Sequence, residues 1–118
     1  MERIWIGLGA LAGLTAVAMA AAAAHAVPGE AQVIMDRAVQ MHGWHALALL
    51  GCGLWASRGG TLAHLAGIAF AVGTVLFSGS IYVHVFAGVF VPALAPIGGT
   101  TLMVGWLLLG VSALRRPV

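Results

Sequence analysis

The stretch AMAAAAAHAVPGE, residues 18–30, has two incompatible readings, and the choice between them sets the number of helices. Ala24 and Ala26 flank His25 in the small-x-small pattern of a signal-peptidase site, and Arg3 supplies the charged region such a leader needs. Length argues the other way. The apolar run over residues 4–27 would form a helix of about 36 Å, whereas the apolar core of a leader has only about 7–15 residues. A run of that length crosses a bilayer with some tilt. The segment is therefore read as a retained transmembrane helix.

The rest of the chain agrees with a membrane setting. With 62% hydrophobic and only 7% charged residues, there are too few polar side chains to cover a water-soluble surface. Every charge (Glu2, Arg3, Glu30, Asp36, Arg37, Arg58, Arg115 and Arg116) falls near the end of an apolar run. The net charge of +2 is then a topology signal and not a nucleic-acid footprint. Cys52 is the only cysteine, so an internal disulfide is impossible.

Four runs emerge, over residues 4–27, 34–56, 61–87 and 97–114, predicting a single all-α domain over residues 1–118: an integral membrane four-helix antiparallel bundle. Asp36 is the expected N-cap or first-turn acid of the second span, and Ser57-Arg58-Gly59-Gly60 is its expected end. Between the third and fourth runs, GVFVPALAPIGG (residues 88–99) is apolar but carries two prolines and three glycines, which predicts an ordered interfacial or re-entrant loop. Arg3, Arg58, Arg115 and Arg116 then share one side and Arg37 stands alone on the other, so both termini are expected in the cytoplasm.

At about 100° per residue, Gly9 and Gly13 form a small-residue pair on the first helix. Gly67, Ala71, Thr74 and Ser78 make a stripe on the third, and Thr101, Gly105 and Ser112 one on the fourth. Such stripes let helix backbones approach closely in lipid. Trp5, Trp44, Trp55 and Trp106 lie toward span ends or packed faces, as interfacial anchors do.

Five histidines in so apolar a chain pose the functional question, since an ionisable side chain within a span is costly. His25, His42, His45 and His84 are expected near the outer ends of their helices, with His64 apart near the cytoplasmic end. His42 and His45, three residues apart, lie on neighbouring parts of one helix face. Tyr82 and His84, two apart, point to nearly opposite sides, so only one of them joins a common interior site. His25, His42 and His45 form a candidate metal set; neutral imidazole suits zinc, copper, nickel or haem iron. The structural alternative is a polar cluster of His25, His42, His45, Ser78, Ser80, Tyr82 and His84 that fastens helices, at about 0.6–2 kcal/mol per hydrogen bond. Ser78 and Tyr82 are expected to face the interior, with His45 the first candidate to receive the Tyr82 hydroxyl. The carboxylates all lie at span ends, so no nucleophile, base and orienting acid can be assembled and no enzyme activity is assigned.

Several blocks carry a resemblance: HALALL at residues 45–50, GTVLFSGSIY at 73–82, and PIGG at 96–99 followed by Gly105-Trp106. In order along nearly the whole chain, they are similar to the signature blocks of the membrane family called domain of unknown function 423. The resemblance implies a small four-span protein of the bacterial inner membrane, with eukaryotic relatives among small transmembrane proteins. It also implies that the first span is kept, since Ala24-His25 resembles the family's Gly-Ala-His. It brings no biochemical activity. Two positions depart from the family pattern: His42 stands where Gln is usual, and His84 where an apolar residue is usual.

The resulting expectation is a structural, accessory or partner-binding bundle whose partners are the lipid bilayer and either a larger membrane complex or a second copy, with no nucleic acid. It requires no cofactor. The alternatives are a metal-, haem- or quinone-binding module that uses the outer-leaflet histidines, and a small transporter or oligomeric pore. The latter is disfavoured by the lack of acidic relay residues and of a clear inverted repeat.

Overall fold

The computed structural model describes residues 2–114. Arg115 and Arg116, which enter the charge argument above, lie outside the described residues. The described chain is three helices: α1 (Glu2–Ala26), α2 (Ala31–Ala87) and α3 (Leu94–Leu114). Each is long and apolar enough to cross a membrane.

The expected count of four helices is thus corrected to three, and the reason lies at a single residue. Ser57-Arg58-Gly59-Gly60 opens no loop between two helices. The helix runs through it and breaks only at Gly60 (φ 61°, ψ −143°), a conformation that residues with a Cβ strongly avoid. A straight helix of 57 residues would measure about 85 Å, yet the longest dimension of the molecule is 53 Å. α2 therefore folds back on itself, with an N-arm (residues 31–59) and a C-arm (residues 61–87) joined by hydrogen bonds between residues 40 apart.

α1 and α3 each pack on α2 and, among the described residues, not on one another. Two buried clusters form: Trp5, Ala48, Leu49, Cys52, Ala66, Phe70 and Leu102 in one, and Ala23, Val27 and Met35 in a smaller one near the first turn. Outward faces carry large apolar side chains, among them Leu14, Leu54, Val75 and Leu107, as a lipid-facing surface requires. Glycine permits the closest approaches. A Cβ on Gly98 of α3 would run into the backbone of Leu76 and Phe77 in the C-arm, and one on Gly67 would lie 2.8 Å from the Trp5 ring. Gly9 packs under Leu50, and Gly105 under Phe70. Gly13 faces open space, so the expected Gly9–Gly13 pair is one contact and not two. Thr101 is half-buried and turns its hydroxyl back to the Ile97 carbonyl.

Two boundaries shift. α2 begins at Ala31 after Gly29 (φ 63°), so Asp36 lies in the second turn, and the capping position is taken by Glu30 with no side-chain hydrogen bond. Gln32 instead ties the turn together, its amide donating to the Ala23 carbonyl of α1 (2.5 Å) and to the Val27 carbonyl just after it (2.7 Å). At the second connection only residues 88–93 are non-helical, and α3 already contains Ala95 and Pro96. Pro96 sits in the first helical turn, where a backbone N–H has no intrahelical acceptor to lose. α2 itself ends on Gly88 (φ 72°), whose N–H donates to the His84 carbonyl.

Candidate functional site

His42 and His45 are both buried on the N-arm, and they look at different neighbours. His45 faces α3. Its Nε2 accepts the indole N–H of Trp106 at 3.0 Å, which fixes the remaining proton on Nδ1, from which it donates to the Met41 carbonyl at 2.6 Å. The ring lies 5.6 Å from that of Phe70 and 5.8 Å, edge-on, from that of Trp106. Both nitrogens are spent and the ring is sealed.

His42 faces α1 and the C-arm. Its Nδ1 lies 2.8 Å from the Tyr82 hydroxyl and its Nε2 3.0 Å from Thr15 Oγ1. The Thr15 hydroxyl has its own carbonyl acceptors at Leu11 (3.0 Å) and Ala12 (3.1 Å). One direction gives every donor an acceptor along this chain: Tyr82 O–H to His42 Nδ1, His42 Nε2–H to Thr15, Thr15 O–H to the α1 backbone. Run in that direction, the chain gives the two imidazoles opposite tautomers. Tyr82 is joined to His42 and not to His45, whose two ring nitrogens are already taken by Trp106 and Met41. Ser78, one turn below Tyr82, is buried as expected and donates to the Ala38 carbonyl at 2.8 Å.

The other histidines are dispersed. His25 is exposed at the end of α1. His64 accepts the Trp5 indole N–H on Nδ1 at 2.8 Å. His84 stacks 4.9 Å from Phe90 at a tilt, with its Nδ1 buried and without a partner. Ser80 donates within its own helix to the Phe77 carbonyl. The set His25, His42 and His45 is not brought together, and among the described residues no group of three His, Cys, Asp or Glu side chains is placed to hold a metal ion.

Three indoles act as ties. Trp5 reaches from α1 to the C-arm, Trp55 from the N-arm to Ser112 of α3 (3.0 Å), and Trp106 from α3 to the N-arm. Trp44, by contrast, is more than half exposed. Charge and hydropathy patterns do not separate an inward indole from an interfacial one. The usable signal is a polar residue at matching depth on a neighbouring helix. Sequence reasoning also passed over Thr15 and treated Thr74 only as a small residue. The Thr74 hydroxyl is buried without a partner beside a cavity bounded by Thr15 and His42.

The family model described as protein of unknown function DUF423 matches residues 19–99. This chain belongs to the DUF423 family. Among its relatives, a UPF0382 membrane protein of Haemophilus influenzae is 32% identical, with 98% of this chain and 97% of that protein covered. The UPF0382 membrane protein YwdK of Bacillus subtilis is 30% identical, with 96% and 98% covered. The UPF0382 inner membrane protein YgdD of Escherichia coli is 30% identical, with 97% and 92% covered. No solved structure matches the chain. Membership and the relatives' names agree with the helix lengths: this is a small membrane protein of the DUF423 family.

Proposed function

We propose that this protein is an accessory bundle of the bacterial inner membrane, crossing it four times with both termini in the cytoplasm and serving a larger membrane complex through its helix faces. The crossing pattern follows from Gly60. α1, the N-arm, the C-arm and α3 are each a bilayer-length rod, and the break between the arms is one residue wide. Arg3 and Arg58 fall at one end, where the start of α1 meets Gly53 and Leu54 of the N-arm, and Arg37 falls toward the other. The positive-inside rule then puts the Gly60 turn in the cytoplasm and the 27–30 and 88–93 connections outside.

The observation that carries the accessory role is a groove on the outer face of the N-arm and α3. Trp44, Leu47, Ala48, Gly51, Trp106 and Leu109 line it, over a volume of about 490 Å³. Both indole rings remain about half exposed there (55% and 48%). Small residues beside half-exposed tryptophans suit a helix from a neighbouring subunit, since close backbone approach and van der Waals packing drive association in lipid. The described connections are four and six residues long, so helix faces are what these segments offer a partner.

Native mass spectrometry from a mild detergent is the test. A discrete complex that is lost when Gly51 is changed to Leu is the expected outcome; a monomer alone, from membranes in which the protein is abundant, contradicts the role. Topology is read separately by labelling Glu30→Cys and Arg58→Cys in a Cys52→Ser background. Cytoplasmic access to residue 30 would overturn the crossing pattern.

A further inference from the structure

A cavity of about 250 Å³ lies between α1 and the two arms of α2. Its walls are apolar, Leu8, Leu11, Leu49 and Val75 among them, and its polar groups are Thr15, His42 and Thr74. No charged residue lines it. Leu11 and Val75 are largely exposed, which leaves the cavity open on its lipid side.

Thr74 is the anomaly. A threonine inside a helix ordinarily returns its hydroxyl to a carbonyl one turn back, and Thr15, Thr100 and Thr101 all do so here. Thr74 does not. The residue is 8% exposed, its hydroxyl oxygen is buried, and it has no hydrogen-bond partner. An unmade hydrogen bond in hydrocarbon is costly, so a cavity occupant with an acceptor atom would relieve it. His42 and Thr15 already bond one another at the cavity wall.

Depth selects the occupant, resting on the four-crossing placement proposed above. Thr74 is the middle residue of the C-arm, about 20 Å from either end, and therefore near the midplane of a hydrocarbon core about 30 Å thick. The ester carbonyls of phospholipids lie at the margins of that core and do not reach it. The absence of charge along the lining excludes a fatty-acid carboxylate or a cation as the preferred guest. The volume is below the range of about 300–1,000 Å³ usual for drug-sized ligands. It suits one ring, with a long apolar tail left in the bilayer through the open side. We infer that this cavity binds the ring of a neutral isoprenoid quinone, one carbonyl accepting from Thr74 and the ring packing between Leu8, Leu11, Leu49 and Val75.

Equilibrium binding of ubiquinone-1 to the full chain in phosphatidylcholine nanodiscs tests this, with circular dichroism to follow the fold. Saturable one-to-one binding is expected, weakened about tenfold in Thr74→Val, as the loss of one hydrogen bond predicts, and unchanged in Thr100→Val. Thr74→Val should fold and melt at least as well as the parent, because it removes a hydroxyl that bonds to nothing. Binding no greater than to empty nanodiscs, or equal binding by Thr74→Val, overturns the inference. A failure of the membrane placement would appear instead in the labelling of residues 30 and 58, whatever the quinone does.

Discussion

The two sides of the N-arm differ more than their residue types suggest. Toward α3, His45, Trp106, Phe70 and Met41 close around one another with both imidazole nitrogens used. Toward α1, three residues earlier on the same arm, His42 joins a chain of hydroxyls that borders a cavity and an unpaired threonine. The same side chain serves as a closed fastener on one side and as the rim of an open site on the other. A histidine in a span is therefore best judged by whether its neighbours use up its two nitrogens, and its presence alone decides little.

If this contrast holds, substitutions on the α3 side should cost most. Gly98→Ala places a Cβ against the Phe77 backbone, which cannot move aside as a side chain could. Its cost should reach or exceed the upper part of the usual overpacking range of about 1–3 kcal/mol, whereas Gly13→Ala, facing open space, should be nearly neutral. Reversible unfolding in SDS, followed by tryptophan fluorescence, would compare them. Equal effects would mean that α3 does not dock through Gly98.

His45→Leu should come next, at about 1–3 kcal/mol, because it strands the Trp106 indole and empties part of the aromatic cluster. His42→Gln, which restores the residue usual in the family, should cost less, since an amide can still both donate and accept. A larger loss for His42→Gln than for His45→Leu in the same titration would reverse the assignment of the closed and open sides.

Tyr82→Phe removes the first donor of the His42 chain and should cost about 0.6–2 kcal/mol. The smallest effect belongs to Thr74→Val without ligand. Since nothing is bonded to that hydroxyl, the variant should be neutral or stabilised by up to about 1 kcal/mol. A clear destabilisation would reveal a partner for Thr74 in the empty protein.

Much of the fold was legible from the sequence because a bilayer imposes lengths. The run over residues 4–27 gave α1 to within two residues at its start, and Pro28-Gly29 marked the first turn. What failed to come through was local. Gly60 can reverse the chain by itself, and nothing in Ser57-Arg58-Gly59-Gly60 distinguishes a one-residue break from a loop. Pro96 reads as a loop residue, yet the first turn of α3 tolerates it. At the candidate site, the inward turn of Ser78 and Tyr82 was legible, because a spacing of four puts them on one helix face. The pairing of Tyr82 with His42 over His45 was not, since it depends on Trp106 of α3 and the Met41 carbonyl having taken both His45 nitrogens. Thr15 and Thr74 were overlooked for a physical reason: a threonine in a span usually satisfies itself, and only the surroundings show when it does not.

The most direct test of the account is the protonation pattern of the two buried imidazoles. Nitrogen-15 NMR of histidine-labelled protein in lipid, with His42→Gln and His45→Leu to assign the signals, reports which ring nitrogen carries the proton. The hydrogen bonds predict opposite neutral tautomers, with His45 protonated on Nδ1 and His42 on Nε2. The same tautomer at both positions, or a doubly protonated ring at either, would contradict the separation of a closed side from an open one.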